Sequence, residues 1–186
     1  MTISKTIPMP QVHIRPAATS DLPAITAIYR EAVLHGTATF ELEPPDVAEM
    51  SRRYDSLTRG GFPYLVAVMD DVVAGYAYAG PHRPRPAYRF TVENSVYLDA
   101  AAQGRRVGTR LMQELIAACE TRGYRQMVAV IGDSANAASI GLHARTGFEM
   151  IGTHRNVGFK FGRWLDTVHM QRALGEGGTT VPNDEA

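Results

Sequence analysis

The sequence holds a single cysteine, Cys119, among 186 residues. That excludes an intrachain disulfide and any multi-cysteine metal knuckle. It has no run of about 18 apolar residues, so no membrane-spanning helix is expected. Its start, MTISKTIPMPQVHI, lacks the apolar stretch of a secretory signal. There is no excess of charge either: 19 basic side chains face 19 acidic ones. A nucleic-acid binder relying on bulk charge is therefore disfavoured, and only a local basic patch stays open. Lysine is scarce. Lys5 and Lys160 are the only two, and every other basic residue is arginine, whose planar fork suits carboxylates and phosphates. His13, His35, His82, His154 and His169 show no metal-ligand spacing, and no metal is expected. Internal repeats, low-complexity tracts and long linkers are absent.

What remains is ordinary for a globular chain, with 45% hydrophobic and 20% charged residues. The length suits one domain, expected over residues 11–174 and in the cytoplasm. Residues 1–10 and the Gly-rich, acidic 175–186 are expected to be flexible tails.

Periodicity supplies the elements. Val12 to Arg15 reads as a strand. Ser20 is expected to cap a helix through His35, with Leu22, Ile25, Ile28, Tyr29, Ala32 and Val33 on one face. After the loop GTATFELEPP, Asp46 opens a second helix carrying Val47, Met50, Tyr54 and Leu57. Tyr64 to Met69 and Val72 to Ala79 are strands joined by a hairpin turn at Asp70 and Asp71. PHRPRPAYR, with three prolines, excludes regular structure. Phe90 to Leu98 is a strand. A helix follows Gln103, with Val107, Leu111, Met112, Leu115, Ile116 and Cys119 on one stripe, and Gly123 ends it. Gln126 to Ile131 is a buried strand. Asn136 opens a short helix stopped by Gly147, and Phe148 to Gly152 and Leu165 to Gln171 are the last strands. The order predicts an α/β (α+β) fold with a mixed sheet, because the hairpin forces antiparallel pairing.

Two motifs carry chemistry. Gln103-Gly104-Arg105-Arg106-Val107-Gly108-Thr109 opens an amphipathic helix. A glycine-bearing loop there aims backbone N–H groups at an anion, and Arg105 and Arg106 add charge. By itself such a loop does not distinguish an anion site from a plain turn. It does not begin a first parallel βαβ unit, which disfavours dinucleotide binding of the Rossmann kind. The second motif runs from Asn136, Ala138 and Ser139 through Leu142-His143 to Gly147-Phe148.

Together these resemble the GNAT acetyltransferases, whose pyrophosphate loop reads Q/R-x-x-G-x-G/A and whose later helix reads about N-x-x-A/S-x-x-L-Y-x-x-x-G-F. Gln103 and Gly108 match the first pattern, while Arg106 stands where Gly is usual. The second pattern matches throughout, except that His143 stands where most of the superfamily has Tyr. The words ATFELEPP, TVENSVYL, VAVIGDSANAASIGLHARTGF and VGFKFGRWLD are similar to the phosphinothricin and methionine-sulfoximine N-acetyltransferase branch, over residues 12–174. The resemblance implies a central, mostly antiparallel mixed sheet of about seven strands flanked by about four helices.

It also implies acetyl transfer from acetyl-CoA to the α-amino group of a small L-amino acid or analogue, a detoxifying step, in a homodimer with the C-terminal strands near the partner. That chemistry needs a base for the ammonium, donors for the oxyanion and an acid for the thiolate. The resemblance implies Glu93 as the base. It implies backbone contacts from Val96, Tyr97 and Leu98 to the pantetheine, with the Leu98 N–H at the oxyanion. Gln103, Gly104, Arg105, Arg106, Val107, Gly108 and Thr109 would hold the pyrophosphate, and Asn136 and Ser139 would face the cofactor. His143, with an ordinary pKa near neutrality, becomes the acid. Phe40 with Glu41, Arg83, Arg85, Tyr88 and Arg89, and Thr91, Val92 and Glu93 are the implied acceptor walls, arginine being a good carboxylate ligand. Each residue has a structural alternative: Glu93 as an outward strand residue, His143 as a satisfied helix histidine, Asn136 as an N-cap, the arginine loop as a solvated surface. Lys160 and Trp164 gain no role from the sequence.

Two other functions are compatible with parts of this pattern. A protein N-terminus as acceptor is disfavoured by the compact Pro-rich loops, since a peptide needs an open groove. A CoA-binding regulatory module without turnover is disfavoured by the presence of both Glu93 and His143.

Overall fold

The computed structural model describes residues 12–182; the expected tail at 1–10 and residue 11 lie outside them, as do residues 183–186. Among the described residues the chain forms β1 (Val12–Pro16), α1 (Leu22–His35), α2 (Val47–Arg59), β2 (Tyr64–Met69), β3 (Val72–Pro81), β4 (Thr91–Leu98), α3 (Val107–Thr121), β5 (Gln126–Gly132), α4 (Ala137–Arg145), β6 (Glu149–Lys160) and β7 (Arg163–Ala173). The seven strands make one sheet in the order β1-β2-β3-β4-β5-β7-β6. β4 and β5 run parallel and the other pairs antiparallel.

Local chemistry sets most boundaries. Asp46 caps α2 by accepting the Glu49 N–H at 2.7 Å, and Asn136 caps α4 by accepting the Ser139 N–H at 3.2 Å. Such caps satisfy N–H groups that the first helical turn cannot. Asp70 and Asp71 both take positive φ in the β2–β3 hairpin, the twist that tight hairpins favour.

Three expectations are corrected. Ser20 does not cap α1. It lies within a 3-10 turn, Thr19–Asp21, and Asp21 instead accepts from the Ala18 N–H (2.8 Å) and both Arg15 nitrogens (2.7 and 2.8 Å). The Pro-rich segment is not wholly irregular: Pro81 ends β3 and Pro86–Tyr88 form a 3-10 turn. The last two strands are far longer than their hydrophobic pattern suggested. β6 is exposed along almost its whole length, so no alternation marks it, and it pairs with β7 up to Lys160↔Arg163. The word VGFKFGRWLD is thus the tip of a long hairpin. Beyond Leu174, Arg125 bonds Glu176 and the Thr180 carbonyl (3.2 and 3.1 Å).

The sheet separates two cores. One packs α3 through Val107, Leu111, Met112 and Leu115 onto Ala77, Val92, Met127 and Met170. The other packs α1 and α2 through Ile25, Tyr29, Val33 and Met50 onto Tyr64, Val66 and Tyr76.

Candidate active site

The parallel pair is short. β4 and β5 are in register only from Thr91↔Gln126 to Asn94↔Ala129. Beyond that the two strands part, while β4 remains paired to β3 on its other edge through Leu98↔Gly75. The opening is a cavity of about 50 Å³ walled by Ser95, Val96 and Tyr97 of β4 and Val130, Ile131 and Gly132 of β5. Asn136, Ser139 and His143 of α4 and Ala38 of the loop after α1 complete it. Strand edges that part leave backbone N–H and C=O groups without a strand partner, ready for an extended ligand.

Two neighbouring residues at the point of separation face opposite ways, as strand alternation requires. Asn94 shares its face with Val92 and lies towards α3 and α4. Its amide donates to the Val128 carbonyl at 3.1 Å, and its Oδ1 sits 3.0 Å from His143 Nε2. His143 Nδ1 lies 2.8 Å from the Ser139 carbonyl and its ring meets Phe148 edge-on. Burial lowers the His143 pKa from its ordinary value, and the Ser139 carbonyl works against that.

Glu93 faces the α1–α2 side, with Tyr97. Its carboxylate is 3.6 Å from His82 Nδ1, just beyond direct hydrogen bonding, and its side chain is 40% exposed. Burial raises its pKa; the nearby His82 and Arg83 pull the other way without cancelling the effect. A partly desolvated carboxylate of this kind takes up a proton more readily than an ordinary glutamate. His169, its ring 4.5 Å from that of His154 and tilted against it, has its pKa lowered by burial and then by His154, Arg83 and His82, so these groups share one neighbourhood.

The acceptor-side residues fall into two places. Phe40 lies beside the cavity, against Gly132 and Gly158. Arg83, Arg85, Tyr88, Arg89 and Thr91 instead line a shallow depression of about 400 Å³ with Phe62 and three prolines. Within it Tyr88 meets His82 edge-on, and Arg89 lies 4.5 Å over Phe90. Val92 is a correction: it is fully buried in the α3 core, on the face opposite Glu93, and cannot wall an acceptor pocket. Glu41 is engaged elsewhere, accepting from Tyr29 (2.9 Å) and Arg53 (2.7 Å).

At the start of α3 the first intrahelical bond runs from the Arg110 N–H to the Arg106 carbonyl. The N–H groups of Val107, Gly108 and Thr109 therefore point out of the helix end, where the dipole favours an anion. Gln103, Gly104, Arg105 and Arg106 are exposed around it.

A family model for the acetyltransferase (GNAT) domain matches residues 14–169. The chain belongs to the GNAT acetyltransferase family. It is 54% identical over 169 residues to a phosphinothricin N-acetyltransferase of Alcaligenes faecalis, covering 91% of this chain and 86% of that one. It is 46% identical over 162 residues to an L-methionine sulfoximine/L-methionine sulfone acetyltransferase of Pseudomonas aeruginosa, covering 87% and 94%. The crystal structure of a GNAT phosphinothricin acetyltransferase from Sinorhizobium meliloti, in complex with acetyl-CoA, superposes with a TM-score of 0.92 at 49% identity, over 94% of this chain and 95% of that one.

Two features of this GNAT site acquire physical reasons. Arg106, where the family loop usually has Gly, is in the left-handed region (φ 62°), which explains the usual preference. Gly108 is buried, and a Cβ there would stand 3.2 Å from Leu98 and 3.4 Å from Leu142, so its smallness serves helix packing as well as the loop.

Sequence reasoning missed Asn94, which holds His143, and His82, which flanks Glu93. No spacing in the sequence signals either, because each pairing joins distant segments through sheet register.

Proposed function

We propose that this chain transfers the acetyl group of acetyl-CoA to the α-amino group of a small L-amino acid or analogue, of the phosphinothricin, methionine sulfoximine or methionine sulfone type. One observation carries the reading. At the parting of β4 and β5, a carboxylate and an imidazole stand on opposite faces of the sheet, presented by the consecutive residues Glu93 and Asn94. A thioester entering the opening would meet its acceptor on one side and lose its thiolate on the other.

In this reading the N–H groups of Val107 to Thr109, with Gln103, Gly104, Arg105 and Arg106, receive the pyrophosphate. The free edge at Val96 to Leu98, Asn136 and Ser139 receive the pantetheine, and the Leu98 N–H steadies the oxyanion. Glu93 takes the ammonium proton, directly or through water, helped by its raised pKa. The free amine attacks the carbonyl, the nitrogen sheds its second proton to water as the C–S bond breaks, and His143 protonates the departing thiolate. Phe40, Arg83, Arg85, Tyr88, Arg89 and Thr91 bound the acceptor, with Arg83, whose charge acts on Glu93, best placed for its carboxylate. Acetylation cancels the acceptor's ammonium charge, the chemical basis for detoxifying an amino-acid analogue. Acetyl-CoA is a cytoplasmic metabolite, which supports action there.

The same reading includes a homodimer through the β6–β7 hairpin. Met150, Ile151, Val157, Phe159, Phe161 and Trp164 are each more than half exposed on it. An apolar stripe of that kind on an edge hairpin favours a partner surface.

A panel measuring CoA release tests the reading: acetyl-CoA against amino acids, phosphinothricin, methionine sulfoximine, methionine sulfone, aminoglycosides and peptides. Turnover is expected to be highest with free amino acids or their analogues. Peptides or aminoglycosides outperforming all of them would overturn it.

A further inference from the structure

We infer that Lys160 is a positioning residue for the acceptor, clamping the loop Gly36–Phe40 so that it walls the cleft. The inference rests on the proposed amino-acid acceptor and adds a residue to which sequence analysis gave no role.

Lys160 ends β6 and is 4% exposed. Its Nζ donates to the Gly36 and Thr39 carbonyls, both at 2.9 Å. Among the described residues it makes no ion pair, and burial lowers its pKa. Glu41 favours its charged form from a distance and the Phe161 ring lies 5.0 Å from Nζ, but a buried ammonium still needs hydrogen-bond acceptors, and the two carbonyls supply them. They bracket Thr37 and Ala38, and one nitrogen thus closes both ends of a four-residue arch.

The inner surface of that arch belongs to the cleft. Ala38 lines the cavity. The Thr37 carbonyl and the Phe40 ring press on Gly132, where an added Cβ would come within 2.1 Å of the carbonyl and 3.1 Å of the ring. Phe40 also covers Gly158, where a Cβ would meet the ring at 2.2 Å. Two glycines from two strands therefore form the socket for the arch, and Lys160 holds it there. The far end of the loop is fixed separately: Tyr29 bonds Thr39 and Glu41 at 2.9 Å each, and Arg53 holds Glu41. The acetyl-CoA-facing elements, α3 and the Val96–Leu98 edge, are not touched by Lys160. Losing the clamp should move the acceptor wall and leave the pyrophosphate end of the cofactor site, at the start of α3, in place.

Two variants test this. Lys160→Met keeps the apolar stem and removes both N–H bonds. Gly158→Ala pushes on Phe40 without touching Lys160. For each, the acceptor KM is expected to rise about tenfold or more, in line with the steep cost of small misplacements. The kcat/KM ratio between phosphinothricin and methionine sulfone should shift, and the acetyl-CoA Kd by calorimetry should hold. Amide hydrogen exchange read at residues 37–41 should speed up in Lys160→Met while that of β4 does not change; this readout needs no turnover. Unchanged exchange at 37–41 would overturn the clamp, whatever the acceptor. Acetyl-CoA affinity falling in step with acceptor KM would reduce Lys160 to a general stabilising residue and overturn its positioning role. Absence of amino-acid turnover in the parent would instead refute the proposed function, with the exchange result still deciding the clamp.

Discussion

His143 Nε2 lies 3.0 Å from Asn94 Oδ1 while its Nδ1 lies 2.8 Å from the Ser139 carbonyl. With the Asn94 amide donating to Val128, both ring nitrogens face acceptors. Only an imidazolium carries a hydrogen on each nitrogen. The pairings favour the charged form and burial opposes it. Asn94 is therefore expected to keep a proton on the group assigned to the thiolate. In Asn94→Leu the His143 pKa should fall further, and the alkaline limb of kcat should move to lower pH. Proton NMR of the imidazole and a pH–rate profile check both.

Glu93→Gln should lower kcat by about 10²–10⁴-fold, the usual range for acid–base catalysis. Acetyl-CoA affinity should be nearly unchanged, since Glu93 faces away from α3 and α4. His143→Ala should cost less, on the order of tenfold, because water can protonate the thiolate. Stopped turnover assays with calorimetry on the same variants distinguish the two. A Glu93→Gln enzyme retaining most of its activity would move the base elsewhere.

The acid limb of kcat/KM should lie above the pH of an ordinary glutamate, because burial raises Glu93. His82 and Arg83 stabilise its charged form. Removing His82 should therefore raise the Glu93 pKa and shift that limb to higher pH in His82→Ala. A limb that stays in place would show that His82 does not act on Glu93.

Arg106→Gly should stabilise the protein by about 1 kcal/mol, since glycine adopts positive φ without strain. It should also weaken acetyl-CoA binding, more at low salt than at high salt, by removing a charge beside the pyrophosphate site. Thermal melts and calorimetry at two ionic strengths read the two effects separately.

Asp21→Asn should destabilise the fold by about 1.5–3 kcal/mol, the range for hydrogen bonds to charged groups. The Arg15 guanidinium, then the Ala18 N–H, hold the Asp21 pKa below its ordinary value against burial. A depressed carboxylate contributes stability that is complete above its unfolded pKa and fades as pH falls through the folded one. The variant and the parent should therefore converge in acid, which denaturant titrations at neutral and acidic pH would show.

The sequence alone determined the element order, because the apolar stripes of α1 and α3 and the run from Tyr64 to Met69 each carry their own period. Caps and turns at Asp46, Asn136, Gly123 and the Asp70-Asp71 pair were legible for the same reason: each is a short-range hydrogen bond or backbone preference. Glu93, His143 and the loop before α3 stood out through their motifs. Register and long-range contact were not legible. Exposure along β6 erased the alternation that would have revealed the long hairpin. Val92 read as an acceptor contact until strand alternation placed it in the α3 core. Asn94 beside His143, His82 beside Glu93, and Lys160 across more than a hundred residues to Gly36 were decided only by the sheet. Tertiary structure alone fixes such pairs, because the sheet order and register that join them depend on how both cores close at once.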